Sequence, residues 1–181
     1  MACTRFLDRP FMLTEYAHGP YNKYVHEAGL MMGAYAALQG WDILISHADL
    51  VRKFYVPLDS YSFGSAVNPI TKADEVISFF AWFRGDVKTA LHSVELNVSN
   101  EKIMSKNALN AIAPEYGKLF MLTKIGNSYV HPSGLADLVV EPDVFARSAG
   151  SDWFAVLEKN VNSKNIYPEI VKQLREKAIL G

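Results

Sequence analysis

A carboxylate closes the first apolar run of the chain: Phe11-Met12-Leu13-Thr14 is followed by Glu15, then by Tyr16-Ala17-His18-Gly19-Pro20. A phenol and an imidazole therefore stand within three residues of a carboxyl group. A second run, Ile43-Leu44-Ile45, ends on Ser46-His47-Ala48-Asp49. A carboxylate held at a strand end can serve as nucleophile or as general acid or base. His47 and Asp49 have no third partner for a triad or a metal site, and taken alone they read as ordinary rim residues. Glu15 taken alone reads the same way. Beyond them, Val51 to Asn68 is rich in aromatics and turn formers. Tyr55, Tyr61 and Phe63 in it either wall a substrate cleft or cover a neighbouring surface.

The elements that must position these groups follow from the pattern. A helix is expected from about Asn22 to Gln39, with Asn22 as a capping residue and Glu27 near the positive helix end. Its body, Ala28 to Gln39, is apolar nearly all round, so it needs neighbours on more than one side. Gly29 and Gly33 share a face and permit close approach of a sheet or helix, and Gly40 ends the helix. Two short apolar runs joined by a crossover helix make a βαβ unit, which builds parallel sheets and places chemistry at the carboxyl ends of the strands. Asn68-Pro69 opens a second helix. Val76, Ile77, Phe80, Ala81 and Phe83 mark its expected buried face, and Gly85 its end.

After Asp86 the texture changes. His92 to Val98 alternates as a half-buried strand does. Leu119 to Thr123 and Ser128 to Val130 read as two more strands separated by a Gly126-Asn127 turn, and Asp137 to Val140 as another. The tail reads as two helices, about 152–159 capped by Ser151 and about 168–180. The expected fold class is α/β: a partial, barrel-like βαβα unit over 1–87, then a small β element with two C-terminal helices over 88–181.

The bulk composition narrows the partners. In 181 residues, half are hydrophobic, 20% are charged and the formal net charge is −1. That balance makes no electrostatic case for nucleic acid or for a membrane surface. The basic stretch from Lys164 to Lys177 is interrupted by Glu169 and Glu176, as on a solvated helix face. A single cysteine, Cys3, excludes an internal disulfide and a cysteine-rich zinc site. The first residues lack the apolar core of a secretory signal, and no run approaches the roughly 18–20 apolar residues of a membrane span. The expected location is cytoplasmic.

Three segments, in order, resemble the closing part of a retaining glycoside hydrolase with an eight-stranded β/α barrel. Arg9 to Glu27 resembles the seventh strand, which ends in the nucleophilic glutamate and is followed by His, Pro and Asn. Gly33 to Leu44 resembles the next helix and the eighth strand. Asn68 to Ala90 resembles the last helix and the step into a C-terminal β domain. The likeness covers about residues 9 to 90. It implies that Glu15 is the catalytic nucleophile and that His18, Asn22, Trp41, His47, Tyr55 and Tyr61 contact a carbohydrate. It implies no cofactor and no metal. Retaining hydrolysis needs a second carboxyl group about 5–5.5 Å from the nucleophile, and in such barrels it lies near the end of the fourth strand. One departure is local: Trp41-Asp42 leads into Ile43-Leu44 and Ser46-His47-Ala48-Asp49, not into Gly-Ile and aromatics, which alters the floor of the sugar site.

Only ten residues precede Phe11, whereas a whole barrel takes about 250. The expectation is therefore a quarter barrel whose strand edges and apolar helix faces are exposed. It would be completed by a partner chain or by homo-oligomerisation, or covered by its own β element and tail. The functional alternatives are a nucleophile-bearing hydrolase segment and a non-catalytic carbohydrate-binding or assembly module.

Overall fold

A computed structural model of the chain describes residues 5–16, 22–46, 69–104, 110–112, 114–142, 144–146, 172–173 and 175–176. The fold is mixed α/β with two parallel sheets. The chain divides into two compact units, Pro10–Thr89 and a second made of Met1–Arg9 with Ala90–Gly181.

In the first unit, β1 (Met12–Tyr16) lies parallel to β2 (Ile43–Ser46), with Met12 opposite Ile43 and Leu13 opposite Leu44. Between them runs α1 (Ala28–Gln39), entered through a 3-10 turn, Val25–Glu27. Gly40 ends α1 in the left-handed conformation, its N–H donating to the carbonyls of Ala36 and Ala37. The amino ends of the strands are tied by Asp42, whose Oδ2 accepts the Phe11 N–H at 2.8 Å.

The helix α2 (Pro69–Ser78) continues into a π-helical turn, Phe79–Phe83. It packs on α1 through small residues. A Cβ placed on Gly29 would fall 2.0 Å from the Asp74 carbonyl oxygen, and one on Gly33 would fall 2.7 Å from the Ser78 Cα. Glycine costs a helix roughly 0.5–1 kcal/mol against alanine, and here it admits backbone-to-backbone contact. Of the expected buried face only Ala81 is enclosed, and for the rest the expectation is reversed. Asp74, Ser78 and Ala81 are buried, while Val76, Ile77, Phe79, Phe80 and Phe83 are exposed. The helix turns its polar stripe to the glycines of α1, and its aromatics face out. Arg84 covers one of them, its guanidinium 3.8 Å from the Phe80 ring centre.

In the second unit, β3 (Ser93–Val98) lies between β5 (Lys124–Tyr129) and β6 (Leu138–Val140), all parallel. Phe6 extends this sheet by a parallel bridge to Asn127. A short helix α3 (Asn100–Met104) follows β3, and β4 (Asn110–Ile112) pairs antiparallel with β7 (Val144–Ala146). Val94, Leu96, Leu119, Ile125 and Leu138 form the apolar core of this unit.

Two expected elements differ here. Residues 119–123 are not a strand: Pro114–Met121 is a 3-10 helix, and Tyr116, Leu119 and Thr123 are its buried positions and those of the turn after it. Their three-to-four spacing is helical. Gly126-Asn127 is not a turn but the middle of β5, opposite Glu95 and Leu96. The glycine is there because Leu7 lies over it; a Cβ would sit 2.7 Å from the Leu7 Cγ. The expected helix at 152–159 lies outside the described residues; of 168–180, the four described residues are helical.

Candidate functional site

Of the residues singled out from sequence, His18, His47, Asp49, Tyr55, Tyr61 and Phe63 lie outside the described residues. Glu15, Asn22 and Trp41 lie within the first unit.

Glu15 is exposed at the carboxyl end of β1. The pairing of β1 with β2 is irregular at this point. Leu13 is opposite Leu44 and Tyr16 opposite Ser46, so Thr14 and Glu15 share the place opposite Ile45. Leu13 and Tyr16 are turned inward, and Thr14, Glu15 and Ile45 outward. Tyr16 lies half-buried opposite Ser46 of β2, with its phenol near the hydroxyls of Ser46 and of Ser78 on α2. Burial pushes this phenol above its ordinary value of 10.0, against the two serine hydroxyls, and the Glu75 and Asp74 carboxylates push it further up. The Tyr16 phenol therefore stays protonated at neutral pH. Glu75 pairs with Lys72 at 3.1 Å through Oε2, while its Oε1 is buried.

Asn22 opens the 3-10 turn before α1. Its Oδ1 accepts the Tyr24 N–H at 2.9 Å and its carbonyl the Val25 N–H at 3.1 Å. Trp41 is 5% exposed, its ring 5.1 Å from that of Phe11, and its carbonyl accepts the Trp82 indole N–H. Burial of that degree reads as packing.

The face of β1 and β2 opposite Leu13 carries Met12, Ile43 and Ile45, each more than 40% exposed. Parallel strands are almost always covered on both faces. A carboxylate beside such a face, at the carboxyl ends of parallel strands, can act on a ligand as nucleophile or base.

The second unit holds a polar arrangement that sequence reasoning did not single out. Glu95, fully buried on β3, accepts the Ser133 N–H through both carboxylate oxygens, at 3.0 and 3.1 Å. Val130, at the end of β5, has φ +66°, a conformation that costs a β-branched residue about 1–3 kcal/mol. At the other end of the strands, Asp137 accepts the Ser93 N–H at 2.8 Å and lies 3.6 Å from His92 Nδ1. The Ser93 N–H first, and His92 second, hold its carboxyl below the ordinary 3.8, against partial burial. These bonds organise loops: the serine hydroxyl and the imidazole each address the carboxylate, and the chemistry of a Ser-His-Asp relay needs the imidazole between them.

Among the described residues, no group of three or more His, Cys, Asp or Glu could hold a metal ion, and no helix is long and apolar enough to cross a membrane. Comparison with known proteins gives no match to a family model, to a curated protein or to a solved structure.

Proposed function

We propose that residues 10–89 act as the closing two β/α units of a retaining glycoside hydrolase barrel, with Glu15 as the nucleophile. The observation that carries the reading is the outward Glu15 at the carboxyl end of a parallel β1–β2 pair. The bare apolar face beside it supports the same reading, since a barrel interior would cover Met12, Ile43 and Ile45. The Glu15 carboxylate attacks the anomeric carbon as the bond to the leaving oxygen breaks. An acid supplied by β/α units outside these 181 residues protonates that oxygen, and the same group then takes a proton from the water that releases the sugar.

The test is hydrolysis of aryl glycosides by the chain alone and combined with candidate barrel-completing units, each with Glu15→Gln. Activity that appears on combination and is lost in Glu15→Gln supports the reading; unchanged turnover in Glu15→Gln ends it. A second reading, a non-catalytic carbohydrate-binding or assembly module, is favoured by the exposed Val76, Phe79 and Phe83 on α2. It predicts association or saccharide binding without turnover.

A further inference from the structure

Small residues hold α2 on α1, and the opposite side of the helix is left with the aromatics. Lys72, Val76, Phe79 and Phe83 recur at spacings of four, three and four, the repeat of a seam between two helices. Asp74, Ser78 and Ala81, on the other side, are the buried positions. Phe83 is 74% exposed, Val76 50%, Phe79 49% and Phe80 37%. The rings form one patch. Phe79 stacks on Phe83 with centroids 5.2 Å apart, Phe80 meets Phe79 at 5.9 Å, and the Arg84 guanidinium lies over Phe80. They sit on the π-helical turn, where the Arg84 N–H donates to the Phe79 carbonyl, five residues back, at 2.9 Å. Turns of that kind are frequent at functional sites. At about 150–250 Å² a ring, the exposed parts of the three rings offer about 300 Å² of apolar surface. A contiguous patch of that size on a soluble chain is often an interaction site.

The charges at its two ends favour one partner. Lys72 pairs with Glu75 at 3.1 Å at one end, and Arg84 Nε with Asp86 Oδ1 at 2.9 Å at the other. The rim is therefore neutral in sum, which gives no preference for an acidic or a basic partner. It also lacks the Lys/Arg-rich polar face of a helix that lies on an anionic membrane. It does suit a reversed copy of itself. With a second helix turned about an axis through Phe79, residue 72 falls opposite residue 86 and residue 75 opposite residue 83. Lys72 then meets Asp86, Glu75 meets Arg84, Val76 packs beside Phe83, and Phe79 meets its own equivalent. A chain of net charge −1 does not repel its copy.

We infer that α2 and its π-helical turn form a twofold homodimer interface, in which the helices of two copies pair antiparallel across Phe79. Such an interface is isologous and closes at two copies. The two patches with their four charged residues each bury about 1,000 Å² in total, the lower bound of a specific interface, so the dimer forms at micromolar concentrations or above. This deepens the assembly reading given above and rests on the same face, not on the chemistry of Glu15.

The test is sedimentation of the full chain from about 1 μM to about 1 mM, the range in which dissociation constants of that order fall. A monomer–dimer equilibrium is expected. F79K and F79E each set like charges across the axis and raise the dissociation constant at least about a hundredfold. Mixing the two variants restores the dimer as a heterodimer. A wild-type chain that stays monomeric throughout overturns the inference. So does a dimer that F79K and F79E leave intact, or one lost in both and not restored by mixing while each still unfolds cooperatively. Should either variant lose cooperative unfolding, disulfide trapping in a Cys3→Ser background decides. K72C mixed with D86C cross-links and neither does so alone; a mixture that fails to cross-link overturns the inference. A monomer that instead joins barrel-completing units through α2 overturns it and leaves the assembly reading. A dimer that cleaves no glycoside leaves the inference standing and removes only the hydrolase.

Discussion

The strand β3 has a partner on each side, and five of its six residues are buried. The strands β1 and β2, among the described residues, pair only with each other, and Met12, Ile43 and Ile45 project from them into solvent. Both sheets are parallel, yet among the described residues the second unit buries more large apolar side chains than the first, where Leu13 and Trp41 are the large ones enclosed. In the unit of Pro10–Thr89, Gly29 and Gly33 pack directly against the backbone of Asp74 and Ser78, and the large apolar residues of α2 lie outside. In the unit of Ala90–Gly181, Leu96, Leu119 and Ile125 are fully buried, and even the carboxylate of Glu95 is enclosed and bonded. The difference teaches where each unit expects its remaining contacts. The second encloses large apolar side chains on β3 and β5, while Leu91, Met104 and Leu135 stay exposed. The first packs its two helices closely and leaves Met12, Ile43 and Ile45 exposed on its parallel pair.

The sharpest way to break this contrast is at the helix pair. Gly29→Leu drives a side chain into the Asp74 backbone, and overpacking of that kind costs about 3 kcal/mol or more. Helix propensity alone predicts stabilisation, so the sign of the change in denaturant midpoint decides which effect governs α1. Next in size is Glu95→Ala in the other unit. It leaves the Ser133 N–H without its carboxylate and should cost about 1–3 kcal/mol, seen as faster amide exchange at Ser133.

A smaller effect belongs to Asp137, whose side chain is 43% exposed and therefore screened by solvent. Its folded pKa lies below the ordinary 3.8. The stabilisation is therefore fully present above the ordinary value and is lost as pH falls through the lower, folded one. Asp137→Asn should flatten that acid limb in a series of unfolding curves below about pH 4. The smallest effect is expected at the open face. Ile45→Lys should change the stability of the chain by no more than about 0.5 kcal/mol, while abolishing association with any barrel-completing unit. A loss of several kcal/mol in the chain alone would mean that the face is already covered.

Much of the architecture was legible in the residues. The apolar runs at 11–14 and 43–45 and the helix between them give the parallel pair, and the alternation of 93–98 gives β3. What escaped sequence reading depended on contacts distant along the chain. Gly126-Asn127 has turn-forming composition, but the glycine answers to Leu7, which is more than 100 positions away. The apolar stripe of α2 reads as a buried face unless one knows that Gly29 and Gly33 bring its polar stripe inward. At the candidate site, Glu15 was visible as a carboxylate ending a strand. The irregular register beside it, with Leu13 opposite Leu44 and Tyr16 opposite Ser46, was not, because register is set by pairing between strands distant along the chain. Glu95 carried no motif, since an acidic residue in an alternating strand looks solvent-facing until Ser133 is found above it.

The central claim is that Glu15 forms a bond to sugar, and covalent trapping tests it most directly. A panel of 2-deoxy-2-fluoro glycosides with dinitrophenolate leaving groups reacts with a nucleophile without needing an acid. The experiment incubates the chain, alone and combined with barrel-completing units, and maps the modified peptide by mass spectrometry. The predicted result is the mass of one fluorosugar on the peptide carrying Glu15, absent in Glu15→Gln. No adduct with any sugar in the completed barrel, or an adduct that persists in Glu15→Gln, would contradict the account.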